Sequence, residues 1–277
     1  MSRKSPINWY CPSKPRPLSP LFLFVPGMDG TGKLYQRQVR TLSPHFDLRC
    51  LMISPDDLSD WDKLADRVIL LLQESRKDQG VYLCGESFGG CLALQIVLKA
   101  PELVDKLILV NSASSFNNRP ILSWGIEITR AMPDFLHYSS TLALLPFLAA
   151  LNKILPDDRK ALLQAMQSVP PVTVSWRLSM LRNFCPLPSA LHRVDVDTLV
   201  IASEADRLLP SVEEGRNLVQ RLPKAQLMIL PDSGHTCLLE DDIDLAQILA
   251  DYNFFPHKAG GRKPEMGRRR HSIGNSN

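Results

Sequence analysis

Two hydrophobic patterns alternate along the chain. Leu21–Val25 (LFLFV), Val81–Cys84 (VYLC), Lys106–Val110 (KLILV) and Thr198–Ser203 (TLVIAS) are short, nearly unbroken apolar runs. They have the length of a strand and no polar face, the pattern of strands covered on both sides. Asp47–Ile53 and Gln226–Leu230 read as two further strands. Between these runs the apolar period lengthens. Trp61–Ser75 places Leu64, Val68, Leu71 and Leu72 at helical spacing, and Lys33–Leu42, the segment from Ser87 to Ala100, Val212–Leu222 and Ile243–Tyr252 also read as helices. Pro44 ends the Lys33–Leu42 helix and Pro101 the one after Ser87. Strands alternating with helices predict an α/β fold, a mostly parallel sheet with helices on both faces.

The same alternation divides the chain. Residues 1–20 carry Pro6, Pro12, Pro15, Pro17 and Pro20 and read as an irregular lead-in. Residues 21–111 and 191–255 are the two parts of the α/β core. Residues 112–190 are rich in leucine, proline and aromatic side chains but hold no strand candidate, and read as a helical cap inserted after KLILV. The densest apolar stretch there, Leu142–Leu155, is shorter than the roughly 18 residues a membrane span needs and contains Pro146, Asn152 and Lys153. It is expected to form cap helices. Residues 256–277 are polar and glycine-rich, include Arg268, Arg269 and Arg270, and are expected to be disordered.

Composition changes this picture little. With 44% hydrophobic and 22% charged residues, the 277-residue chain can bury a sizeable core, and its net charge of +3 selects no class of anionic partner. No nucleic acid is expected. The arginine tail offers a peripheral contact with an anionic membrane surface, against the plainer reading of a solvated tail. Cys11, Cys50, Cys84, Cys91, Cys185 and Cys237 form no C-x-x-C pair, and no histidine cluster has metal-ligand spacing. They read as reduced thiols, and neither metal nor cofactor is expected. The N-terminus shows no apolar segment before a cleavage site, so an intracellular, non-secreted protein is expected.

Candidate chemistry centres on Gly85-Glu86-Ser87-Phe88-Gly89, between the VYLC strand and a helix. A G-x-S-x-G in that setting resembles the nucleophile elbow of α/β hydrolases, where the serine stands on a strained turn with Oγ exposed. In that arrangement the acid and the histidine follow in chain order, each on a loop after a later strand. Glu204-Ala205-Asp206 follows TLVIAS and Ser233-Gly234-His235 follows the last strand. His235 is the expected base, with Gly234 allowing a tight turn before it. Asp206 is preferred over Glu204 as the acid, while Asp232 is too close to His235 in sequence to support it. The N–H groups of Phe88 and Met28 are the expected oxyanion donors. Their side chains either line an acyl pocket or pack in the core.

Two other patterns compete. Gly27-Met28-Asp29-Gly30-Thr31-Gly32-Lys33 fits G-x-x-x-x-G-K after a buried strand, but Leu34 stands where a magnesium-binding hydroxyl belongs. His192–Asp197 (HRVDVD) has the H-x-x-x-x-D spacing of glycerolipid acyltransferases, without room for an independent fold before TLVIAS.

FVPGMDGTG, LCGESFGGCLAL, LVNSASSF, IASEADRLLPS and LPDSGHTCLLED together resemble the α/β-hydrolase part of the phytyl ester synthases and related esterase/lipase/thioesterase proteins of plastids and cyanobacteria. The resemblance spans about Pro20 to about Tyr252 and implies the α/β-hydrolase fold with its helical cap insertion. It implies an acyl-enzyme at Ser87, with Asp206 and His235 completing a triad, and water, phytol or diacylglycerol as acceptor. It also implies a cytoplasmic site or a peripheral one on a thylakoid-type membrane. Plant members continue into an acyltransferase-like domain that this sequence does not show, which shifts the expectation toward plain hydrolysis. The competing expectation is a non-catalytic ligand-binding protein on the same fold.

Overall fold

A computed structural model describes residues 7–75, 80–114, 116 and 134–255, with 134–140 given by backbone alone. The strand runs pair into one sheet: β1 (Ile7–Tyr10), β2 (Leu21–Val25), β3 (Asp47–Ile53), β4 (Val81–Glu86), β5 (Lys106–Val110), β6 (Asp197–Ser203) and β7 (Ala225–Leu230). Their order is β1-β3-β2-β4-β5-β6-β7. All neighbours are parallel except β1, which runs antiparallel to β3.

The unbroken apolar runs are explained by the two faces. Because successive side chains of a strand point oppositely, Leu21, Leu23 and Val25 of β2 enter one core while Phe22 and Phe24 enter the other. β5 divides in the same way, Leu107 and Leu109 against Ile108 and Val110. Helices α2 (Trp61–Ser75), α3 (Phe88–Lys99) and α8 (Ser211–Arg221) cover the first face. Helices α1 (Gln36–Leu42) and α9 (Leu245–Asp251) cover the second. Helix α3 is apolar over most of its surface because most of it is buried: Leu92, Leu94, Ile96 and Val97 have no exposed surface, while Gln95 and Lys99 reach Asp62 at the surface. Truncating one such leucine or isoleucine to alanine costs about 2–5 kcal/mol.

Between β5 and β6 the described residues form no sheet strand and include α4 (Asp134–Leu148), α5 (Pro156–Gln167), α6 (Pro171–Arg182) and the short α7 (Pro188–Leu191). Part of the segment expected to be a cap, residues 115 and 117–133, lies outside the described residues, as do residues 1–6 and the tail 256–277. No helix among the described residues is long and apolar enough to cross a membrane. The lead-in differs from expectation. Residues 7–10 form an edge strand whose Ile7 is buried, a four-residue element too short to show an alternating pattern beside so many prolines.

The fold fixes where loops meet. β2 and β4 are neighbours although β3 lies between them in sequence, so the winding direction reverses there, and ligands of open α/β sheets bind at the carboxyl end of such a crevice. Val25 pairs with Gly85, Glu86 with Val110, and Val110 with Ile201. These registers bring the loops after β2, β4, β5 and β6 to one edge.

Candidate active site

Ser87 sits between β4 and α3 at φ 54° and ψ −116°, a conformation costly for a residue with a Cβ. Its N–H donates to the Val110 carbonyl at 3.0 Å, which ties the turn to β5. The tight return into α3 depends on Gly89, where a Cβ would lie 2.1 Å from the Val25 carbonyl oxygen and 2.5 Å from that of Pro26. The start of α3 therefore presses directly on the end of β2.

The loops after β6 and β7 bring two more groups to Ser87. His235 Nε2 lies 2.9 Å from Ser87 Oγ, and its Nδ1 lies 2.7 Å from Asp206 Oδ2. Asp206 Oδ1 accepts the N–H groups of Leu208 and Leu209 at 2.8 and 2.9 Å, and Oδ2 also accepts the Ser211 hydroxyl at 2.5 Å. Glu204, the alternative acid, is exposed. Burial alone would push the His235 imidazole down, but the charge and hydrogen bond of Asp206, with a further contribution from Glu86, hold it above its ordinary value. Burial likewise acts to raise Asp206, and the His235 charge and the hydrogen bonds it accepts outweigh this to lower it. Glu86, beside the nucleophile position, is pushed up to about 7 by burial, with His235 opposing.

Gly234 serves a purpose other than the one its sequence position implied. A Cβ there would lie 2.6 Å from the Ala150 nitrogen, so the residue is small because the segment following α4 passes close by. Its N–H donates to the fully buried Glu240 at 2.7 Å. Asn111, just after β5 at φ 43°, was not singled out for a role by its sequence context. Its amide donates to the His235 carbonyl at 2.7 Å and to the Ser203 hydroxyl at 2.9 Å, and its Oδ1 accepts the Ser203 N–H at 2.8 Å. The available signal was that asparagine tolerates the left-handed region at the end of a strand.

Among the described residues, neither the Met28 nor the Phe88 N–H has a hydrogen-bond acceptor. The Met28 loop reaches the nucleophile turn: a Cβ on Gly27 would lie 3.8 Å from that of Ser87. The Phe88 ring is fully buried, stacked on Trp61 at 4.6 Å, while Met28 is partly buried against the same core. Core packing therefore accounts for the Phe88 side chain. In the phosphate-cradle pattern, Asp29 turns into its own loop and accepts from the Thr31 N–H at 2.8 Å, so that this N–H is already taken by a carboxylate. In HRVDVD, Asp197 pairs with Lys106 instead.

The family model described as the alpha/beta hydrolase family matches residues 22–248. The chain belongs to the alpha/beta hydrolase family. Within it, the chain is 32% identical over 273 residues to phytyl ester synthase 1, chloroplastic, of Arabidopsis thaliana, covering 88% of this chain and 39% of that protein. It is 26% identical over 246 residues to a putative carbamate hydrolase RutD of Pseudomonas savastanoi, covering 84% and 93%. The chain thus spans about two fifths of the phytyl ester synthase it matches, a share of 39%. In fold it is similar to MenH from S. aureus, with a TM-score of 0.72 at 16% identity over 89% of this chain and 97% of that one. Relatives in this family carry the names of esterases, hydrolases and synthases, and the chain is an enzyme.

Proposed function

We propose that this hydrolase cleaves or transfers apolar acyl esters through an acyl-enzyme on Ser87. The observation that carries the proposal is the continuous hydrogen-bonded line from Asp206 through His235 to Ser87. His235 Nε2 takes the proton as Ser87 Oγ attacks the ester carbonyl, and Asp206 stabilises the imidazolium that forms. The oxyanion is held by the Met28 and Phe88 N–H groups. The imidazolium then protonates the departing alcohol, leaving the acyl group on Ser87. Water or a second alcohol, activated by the same His235, releases it. The likeness to phytyl ester synthases supports a lipid-type acyl donor, and phytol or diacylglycerol beside water as acceptors.

A fluorophosphonate probe is expected to label the wild-type chain, and Ser87→Ala to lose both the label and ester hydrolysis by at least about 10⁴-fold. Labelling that persists in Ser87→Ala, or its absence from wild type, would overturn the assignment. Incubation with mixed lipids with and without phytol, followed by product analysis, separates transfer from hydrolysis. Ligand-dependent stabilisation without any turnover would favour a binding protein instead.

The pH dependence follows from the same geometry. His235 acts as a base only when neutral, and its pKa is raised, so kcat/KM falls as pH drops through a midpoint above the ordinary histidine value of about 6.5. The Glu86 charge contributes to that rise. Glu86→Gln is therefore expected to move the acid limb to lower pH, and a limb that stays put or moves upward would contradict the electrostatic account.

A further inference from the structure

Arg177 of α6 is the largest fully buried side chain among the described residues, 2% exposed. Its Nη1 donates to the Met28 carbonyl at 2.5 Å and its Nη2 to the Ser54 carbonyl at 3.0 Å, while the guanidinium lies 6.0 Å from the centre of the Phe88 ring. Burying a guanidinium is expensive unless its surroundings repay it. Here burial pushes it below its usual range, with the Asp29 and Asp57 carboxylates opposing. Neutral tethers already fasten the same helix to the core: the Trp176 indole donates to the Ser59 carbonyl, and the Trp61 indole to that of Met180, each at 3.0 Å. What Arg177 adds is a planar fork that reaches two separate carbonyls at once, one of them in the loop beside the nucleophile.

We infer that Arg177 is a positioning residue for the oxyanion hole, locking the Met28 carbonyl so that the Met28 N–H stays turned toward the developing oxyanion. This rests on the acyl-enzyme reading above. Fixing the carbonyl fixes ψ of Met28 from one side, and the Gly30 N–H, bonded to the Gly27 carbonyl at 3.1 Å, closes the turn around it. Asp29 and Thr31 brace the far end. A freed carbonyl would let the loop rotate its donor away without disturbing Ser87, His235 or Asp206. Because the clamp comes from α6, the hole is complete only while that helix is seated on the core.

The test compares Arg177→Met, Arg177→Lys and the neighbouring Trp176→Phe in the full chain, each assayed well below its own melting temperature. A p-nitrophenyl ester reports turnover, and an alkylboronic acid, whose adduct with serine is tetrahedral, reports the hole directly. Arg177→Met is expected to lower kcat about 10- to 100-fold with KM changed less than about threefold, and to weaken boronate binding by a similar factor. Arg177→Lys, which keeps the charge and reaches one carbonyl, is expected to recover part of both and serves if the methionine variant does not fold. Trp176→Phe removes one neutral tether of the same helix, leaves the Trp61 tether and the Arg177 fork in place, and should leave both readouts near wild type. Unchanged kcat in the Arg177 variants, or an equal loss in Trp176→Phe, would overturn the inference while Ser87→Ala remains inactive. Full hydrolysis by Ser87→Ala would overturn the acyl-enzyme reading and this inference together.

Discussion

Asp206→Asn is expected to lower kcat by about four orders of magnitude, whereas Glu204→Gln leaves it within about twofold. The size of the first effect follows from how Asp206 is held. Its Oδ1 accepts two backbone N–H groups, from Leu208 and Leu209, so an asparagine must keep its carbonyl oxygen at that position. The amide nitrogen then occupies the place of Oδ2 and donates to His235 Nδ1. An imidazole accepting at Nδ1 carries its proton on Nε2 and offers Ser87 a donor instead of a base. The fold is retained because the replacement is isosteric and Ser211 can reverse its hydrogen bond. Steady-state kinetics on a simple ester, beside the circular dichroism of both variants, checks the pair. Comparable losses in Glu204→Gln would transfer the role to the exposed residue.

Gly89→Ala is expected to lose more than about 4 kcal/mol of stability or to yield no folded chain. In an ordinary helix the same change would stabilise by up to about 1 kcal/mol, so the sign itself is the test. The new methyl group would stand 2.1 Å from one backbone carbonyl oxygen and 2.5 Å from another, and neither can swing aside as a side chain could. Either α3 withdraws from β2, opening the core around Leu92 and Ile96, or the end of β2 moves and takes the Met28 loop with it. Denaturant titration of the variant measures the loss. Wild-type stability would mean that helix and strand are less tightly apposed than described.

The core strands were legible because burial on both faces leaves an unbroken apolar run, as in Leu21–Val25. β1 was hidden for the opposite reason, being a short edge element with one paired side among prolines. Ser87, Asp206 and His235 could be singled out because each directly follows a strand end, and strand ends are what an apolar pattern marks best. The structure brings them together across separations of up to 148 residues. Arg177 and Asn111 could not be assigned a role in this way. Each acts on backbone carbonyls far away in sequence, Arg177 on a loop 149 residues earlier and Asn111 on one 124 residues later, and a carbonyl leaves no trace in residue identity. Gly234 was legible as a glycine but not for its reason, since the neighbouring backbone that excludes a Cβ comes from a distant segment.

The Asn111 amide has a practical meaning for anyone recombining this protein with its relatives. One side chain joins the end of β6 to the histidine loop from its seat after β5, and the adjacent Val110 carbonyl receives the Ser87 N–H. The carboxyl edge of the sheet is thus inherited as a block. Chimeras that exchange a single loop across it should inherit a misaligned edge, whereas crossovers placed where the strands begin, at the opposite edge, should pass the whole arrangement on intact.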